Sequence, residues 1–562
     1  MRREVGVVNK KVCSFPILFA LLALLIGTCA VVFPASAQAA PTSTGSITVS
    51  GTVASSYDAY QIFSANVVDG DSDAKIATDL AWASDAVRDA ALPVLHSAGM
   101  PNSQTTAQEA AEWLNTDSHL TSALSAQLAR SLQSPDAVSV ALNAGTTAEL
   151  PCGYWLIVAD DDAIAQGEAG TAPIMTLVGG SAVTVKPKAA TPKVSKHVLE
   201  DSTAAWQKAA DATVADDLYW RLSATVPAGL AAYDTYTVRF VDTMSAGLDP
   251  SKVVASMRVY VAAGADGGFD AVSTGKDGRA GTDPAKGWTD ITAQCATKVA
   301  ADGTFTVRTG DLIAALGGAD AFTAGARVIA VYNAPLNSAC SHGIAKGNPN
   351  EVYLRYPRSP FADQSGDAGF TRTPSDDACA YTWDLALTKR GSDGDKPLAG
   401  AVLSIADDRG RTLTADGTWD AEGKATVTTG EDGRVTVSGV DSGKLEVREL
   451  KAPKGYTAFE GTRSVTVKAE GLDVDQVAAA KPKLTITAES PLRADSADGS
   501  TGSLEASLIN TPTGTPPSIT TGGFMPSTGD MAMYAAAAAA VAGAALIVVA
   551  LLVKRGGGSH KE

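Results

Sequence analysis

The feature that most constrains this chain is a run without a charged residue, Met531 to Val553, closed by Lys554-Arg555 and a short polar tail. At about 1.5 Å per helical residue the run reaches roughly 34 Å, enough to cross a hydrocarbon core of about 30 Å. Cations directly after such a span stay on the cytoplasmic side, which leaves everything before it outside. Ala535 to Ala540 make the expected transmembrane helix, 531–553, only moderately apolar, which suits a temporary hold. At the other end Arg2, Arg3, Lys10 and Lys11 precede an apolar run from Val12 to Phe33, then small residues from Ala35 to Ala40. This order predicts a secretory signal peptide over 1–39, cut after Ala37 or Ala39. The two runs leave roughly 490 residues, about three domains, to fold in an extracytoplasmic compartment.

Composition narrows what those domains do. A formal charge of −16 and a pI near 4.8 argue against nucleic acid or anionic lipid as partner, since both need a basic face. Only 6% of residues are aromatic, while Thr, Val, Ala and Gly abound, a balance that favours β-sandwiches over a deep catalytic pocket. The five histidines have no metal-ligand spacing and no Gly-x-Ser-x-Gly elbow occurs, so neither an enzyme, a cofactor nor a metal is expected. Asp69-Gly70-Asp71-Ser72-Asp73 reads as a solvated turn, because Ala74 and Leu80 stand where a calcium loop needs glycine and glutamate. Cys152, Cys295, Cys340 and Cys379 remain after export into an oxidising compartment, which predicts one or two disulfides. Cys340 with Cys295 or Cys379 is the preferred pairing, since these three share a domain or its border.

Along the chain, alternation at Gly45 to Val49 and Tyr57 to Phe63 predicts strands, as do Tyr154 to Val158 and Ala182 to Val185. Between them Thr106 and Glu109 have the spacing of a capping box, ahead of helical patterning through Ala111, Leu114, Leu120, Leu124 and Leu128. The expected domains are 40–188, with added helices, then 189–378 and 379–512. The loop from Ala262 to Lys286 reads as a solvated insertion, and 513–524 as an extended linker.

Met525-Pro526-Ser527-Thr528-Gly529, the apolar span and the basic tail 554–562 together resemble the cell-wall sorting signal of Gram-positive bacteria, with Met525 in place of leucine. The resemblance implies a sortase that cleaves between Thr528 and Gly529 and passes the threonine thioester to an amine. Val183-Thr184-Val185-Lys186-Pro187-Lys188 resembles the pilin motif of sortase-assembled pili, with Lys186 where tyrosine is usual. By that match Lys188 is the attacking amine, with Lys186 and Lys193 as alternatives. The implied product is a covalent homopolymer of identical subunits on peptidoglycan at the cell surface, with minor pilins and host ligands as further partners. The alternative is a monomeric wall-anchored adhesin, or a minor or basal pilin.

The middle domain, from Thr191 to Tyr356, resembles the immunoglobulin-like domain of major pilins, in which lysine, acid and asparagine form an internal isopeptide. Lys196 and Asp242 match the first two places. Arg358 holds the third and cannot be acylated in this way, which leaves Asn350 or Asn337 as substitutes. Asp384 to Lys389, Val447 to Tyr456 and Leu508 to Pro512 resemble the blocks of a Cna-B-type sandwich. That resemblance assigns Lys389 as nucleophile, Asn510 as electrophile and Glu449 as the acid between them. The implied fold is therefore mainly β, with tandem immunoglobulin-like and Cna-B-type sandwiches. An apolar interior favours a neutral amine and a neutral acid, and fixed geometry makes the attack effectively unimolecular. It occurs once per molecule, as maturation and not turnover.

Overall fold

A computed structural model of the chain describes residues 43–71, 74–116, 118–133, 137–187, 191–264 and 288–514. The expected signal peptide, the expected linker beyond residue 514, the sorting motif, the apolar span, Lys188 and most of the loop after Ala262 lie outside the described residues. Among the described residues no helix is long and apolar enough to cross a membrane.

The first domain is a sheet with different cover on each face. The long strand Ser56–Asp69 pairs with Lys75–Trp82, Ser139–Asn143 and Gly153–Ala159, and Ile174–Val178 completes the layer. Tyr57, Ala59, Trp155 and Ile157 pack on a small sheet of Thr44–Val49, Thr147–Pro151 and Val183–Val185. Ile62, Phe63, Leu156 and Val158 face three helices, Asp85–Ser97, Ala107–Asn115 and Ser122–Leu132. The Thr106–Glu109 capping box forms at the start of Ala107–Asn115. The single helical pattern read through Leu128 is two helices, because Thr121 caps a fresh start by accepting from the Leu124 amide. Asp85–Ser97, capped by Ser84, was not anticipated from the sequence.

The second domain is a sandwich of two sheets. One runs Ala205–Gln207, Val194–Glu200, Tyr219–Thr225, Arg327–Asn333, Arg258–Ala262, Trp288–Asp290. The facing sheet runs Ala209–Asp211, Asp376–Tyr381, Asn348–Pro357, Arg239–Met244, Thr304–Arg308, Ala296–Val299, with Phe370–Arg372 against Asn348–Pro357. The core between them is built on Trp220, Phe240, Phe305, Tyr332 and Leu354. Strand Asp376–Tyr381 serves two cores. Ala378 and Ala380 point into the second domain, whereas Cys379 and Tyr381 point into the third. The chain therefore crosses between domains at Thr382 and not at the expected residue 379.

The third domain is a second sandwich. Its first strand, Trp383–Gly391, lies between Arg434–Val440 and the last strand, Ser503–Pro512, to which it is parallel. Across the core stand Val402–Ala406, Gly443–Lys451, Thr462–Glu470 and Lys483–Ala488.

The expected disulfides are not formed: Cys152, Cys295, Cys340 and Cys379 are all free thiols. The pairing failed because the three sulfurs near the second domain turn to different partners. Cys295 Sγ donates to the Ile291 carbonyl at 3.2 Å, Cys379 Sγ to that of Ala380 at 3.7 Å, and Cys340 Sγ faces His342. Cys152 is packed far away among Ala65, Val67 and Leu177.

Candidate functional site

Each sandwich buries a lysine, an acid and an asparagine together. In the third domain all three are delivered by simple alternation. Lys389 continues the inward series Trp383, Leu385, Leu387; Glu449 continues Leu445, Val447; Asn510 continues Leu504, Ala506, Leu508. Lys389 keeps none of its surface, Asn510 2% and Glu449 6%. The parallel register sets Lys389 opposite Leu508 and Gly391 opposite Asn510, so first and last strands present lysine and asparagine side by side. Glu449 reaches them from the opposite sheet. Gly433 holds the neighbouring strand close: its carbonyl accepts from the Lys389 amide at 2.8 Å. A Cβ there would stand 2.9 Å from the Lys389 carbonyl, and its φ of +74° suits glycine.

Lys389 Nζ lies 3.5 Å from Glu449 Oε1 and donates to the Leu508 carbonyl at 3.3 Å. Asn510 Nδ2 donates to both Glu449 oxygens, at 2.9 and 3.1 Å, and the Phe459 amide donates to Oε2 at 3.0 Å. Burial pushes the Lys389 ammonium down to about 8, against the opposing pull of Glu449. The neutral, nucleophilic amine is thereby within reach near neutral pH. Asn510 Oδ1 is buried without a hydrogen-bond partner. A half-turn of the amide would bring that carbonyl onto the Glu449 carboxyl.

The second domain repeats the arrangement with one change of address. Lys196 on the first strand, Asp242 and Asn350 all have no exposed surface. Lys196 Nζ contacts Asp242 Oδ2 directly and donates to Tyr332 Oη at 2.9 Å. Tyr332 Oη donates to Asp242 Oδ2 at 3.0 Å and accepts from Asn350 Nδ2 at 2.9 Å. Asn350 Oδ1 and Asp242 Oδ1 are both buried and unpaired. Burial lowers Lys196 to about 8, with Asp242 opposing, and burial raises Asp242 against the pull of Lys196.

Arg358 is not at this site. It follows strand Asn348–Pro357, where its Nη1 donates to the Asp161 carbonyl at 3.2 Å across the junction with the first domain. Asn350, at the near end of the same strand and opposite Met244, occupies the third place instead. Asn337 is excluded, since its Nδ2 is tied to the Ala246 carbonyl and its Oδ1 to the Ala339 amide. Tyr332 was missed altogether: it lies in a run, Val328 to Tyr332, that reads only as buried strand. Among the described residues no group of three or more His, Cys, Asp or Glu could hold a metal.

Of the proposed intersubunit groups, Lys188 and Met525 to Gly529 lie outside the described residues. Val183–Val185, just before Lys188, is the edge strand of the first domain's small sheet, parallel to Thr44–Val49.

Comparison with known proteins places these features. Over 143 residues, 24% of this chain, the sequence is 30% identical to the trypsin-resistant surface T6 protein of Streptococcus pyogenes serotype M6. The matched stretch spans 24% of that relative's length. Solved structures of similar outline include the T6 backbone pilin of serotype M6 Streptococcus pyogenes, described as a modular three-domain structure. It is 16% identical, with 84% of this chain and 98% of that one covered and a TM-score of 0.45. The full-length major pilin SpaD from Corynebacterium diphtheriae is 15% identical over 84% of this chain and 98% of its own, with a TM-score of 0.40. Residues 384–481 match the family described as SpaA, prealbumin-like fold domain. The matched residues include Lys389 and Glu449 and end before the last strand of the third sandwich, Ser503–Pro512.

Proposed function

We propose that this chain is the structural backbone subunit of a covalently polymerised surface pilus. A sortase joins Thr528 of one subunit to Lys188 of the next, and each subunit is sealed by an autocatalytic Lys389–Asn510 isopeptide bond. The observation that carries the reading is the buried constellation of Lys389, Glu449 and Asn510 linking the first and last strands of the third domain. A neutral Lys389 attacks the Asn510 amide carbon while Glu449 donates to the carbonyl oxygen. The new C–N bond forms as the old one breaks, and ammonia leaves. Tension applied to the chain ends then passes through covalent bonds and not through the hydrogen bonds of the strand ladder.

A second bond, Lys196–Asn350 with Asp242 as the acid, belongs to the same reading and would seal the middle sandwich. Kinship over part of the chain with a trypsin-resistant surface protein supports an extracellular, protease-hardened role. Lys186 and Lys193, exposed on either side of Lys188, are the competing amines.

Expression of Lys188→Ala with the cognate sortase tests the assembly. The ladder of SDS-resistant oligomers should vanish with Lys188→Ala and persist with Lys186→Ala and Lys193→Ala. Monomers alone from the wild-type chain would favour a wall-anchored adhesin.

A further inference from the structure

Between strands Arg327–Asn333 and Asn348–Pro357, the segment 337–347 of the second domain leans on the third. Gly343 N donates to the Thr382 carbonyl and Ile344 N to that of Gly499, both at 3.1 Å, and Ile344 packs against the third core. On this strap three side chains stand in series. His342 Nδ1 is 2.7 Å from Asp384 Oδ2, and His342 Nε2 is 3.5 Å from Cys340 Sγ.

Asp384 is itself pinned, its Oδ1 accepting from Ser438 Oγ at 2.5 Å and the Gly439 amide at 3.1 Å. A fixed carboxylate on Nδ1 selects the tautomer with its proton there, so the Nε2 lone pair points at the thiol. Thiol, base and orienting carboxylate in this order are the arrangement that activates a nucleophile. No other mature cysteine has it. Cys295 and Cys379 donate to backbone carbonyls, and Cys152 is packed in an apolar cluster.

The surroundings restrict what the thiol can attack. The amides beside it are occupied, Ser341 N by Asn348 Oδ1 at 2.8 Å and Gly343 N by the Thr382 carbonyl. Those amides leave no donor pair for an oxyanion, which acyl transfer requires and thiol exchange does not. Cys340 retains 9% of its surface, room for a small reagent but not for a protein disulfide.

The geometry points to Cys340 as a modification site, a thiol activated by His342 and Asp384 that exchanges with small disulfides. His342 Nε2 takes the Sγ proton, and the thiolate attacks one sulfur of the disulfide. A new S–S bond forms as the old one breaks, and the departing thiolate recovers the proton from the imidazolium. The small disulfide is the oxidant, and one small thiol leaves for each chain modified. The resting thiol stays protonated, because burial and the charge of Asp384 raise it, so exchange depends on His342 acting as base.

The test is the reaction of the folded, full ectodomain with dipyridyl disulfide, followed by release of pyridinethione and assigned by peptide mass mapping. Cys340 should react at least about 10-fold faster than Cys152, Cys295 and Cys379. At pH 7 His342→Ala should slow the reaction of Cys340 at least about 10-fold, as loss of a general base does, and leave the other three thiols unchanged. A Cys340 rate that His342→Ala leaves unchanged would overturn the proposal. So would equal labelling of all four sites, or a native Cys340 already held in a disulfide within the chain. Should His342→Ala fail to fold, His342→Gln, which removes the base, and the ranking of sites still decide.

Discussion

Asn350 and Asn510 share one state: each is a buried amide whose nitrogen is bonded and whose carbonyl oxygen has no partner. An unpaired buried carbonyl costs about 1–3 kcal/mol, and in both sandwiches it lies in the same buried cluster as a lysine held near a pKa of 8. Glu449→Gln leaves the shape of the third site and removes its acid. After allowing for the small mass change of the carboxyl-to-amide substitution itself, its purified ectodomain should be heavier than the wild type by one ammonia, and so should Asp242→Asn through loss of the Lys196–Asn350 bond. A mass that differs from wild type only by the substitution itself, in either variant, would show that its acid is dispensable.

The lysine shift also has a pH signature once the bond is prevented. In Asn510→Ala, Lys389 remains buried with a pKa lowered from 10.5 to about 8. Between those values the unfolded chain holds the proton and the folded chain does not, so stability must rise with pH across that window. Below about 8 the burial penalty is fully present. The difference in urea stability between Asn510→Ala and the Lys389→Met, Asn510→Ala double variant isolates this effect. A difference that does not change from pH 8 to 10.5 would mean that Lys389 is not desolvated.

At the scale of elements, the decisive contact is the parallel pairing of Trp383–Gly391 with Ser503–Pro512, the strand where the chain enters the domain laid against the strand where it leaves. A bond from Lys389 to Asn510 closes a loop of ~120 residues, for which the chain-entropy argument gives about 4–5 kcal/mol. Asn510→Ala should therefore unfold in its third domain at markedly lower temperature and be cut by trypsin there first. Calorimetry and N-terminal sequencing of the fragments measure both. Equal resistance of variant and wild type would leave the weld without mechanical purpose.

For the whole molecule, the junctions are as specific as the cores. Between the first and second domains, Arg130 Nη2 donates to the Ala232 carbonyl at 2.9 Å, Tyr356 Oη to that of Gly167 at 2.7 Å, and the Gly170 amide to that of Arg358 at 2.7 Å. Between the second and third, Arg411 grips Asp216 with both terminal nitrogens, and Trp383 Nε1 donates to Asp211 Oδ2 at 2.6 Å. Arg411→Ala removes a half-buried bidentate pair of the kind that contributes about 1.5–3 kcal/mol, discounted here because Arg411 is 22% exposed. The expected outcome is faster proteolysis near Thr382 with both flanking domains intact, and a larger radius of gyration in solution scattering. No change in either would mean that the shared strand Asp376–Tyr381 alone holds the junction.

The third site was legible through the resemblance of its three blocks to a Cna-B-type sandwich, and strand alternation is what delivers it: with Trp383, Leu385 and Leu387 inward, Lys389 follows, and the same parity carries Glu449 and Asn510. The second site was half legible, again through a resemblance, that of the middle domain to major pilins. Lys196 and Asp242 lie on inward positions, but which asparagine completes them depends on how Asn348–Pro357 registers against Arg239–Met244, a long-range pairing that no local pattern encodes. That register alone set Asn350 beside Met244, sent Arg358 out to Asp161, and brought in Tyr332 from the opposite sheet. The cysteines failed for the converse reason, since proximity in sequence says nothing about which core a strand face serves, and Asp376–Tyr381 serves two. What the amino-acid sequence determined was the β-rich character of the domains and, through its motif blocks, which residue types meet in each site. Tertiary structure decided the partners, because only packing across sheets and domains chooses among side chains that are all correctly turned inward.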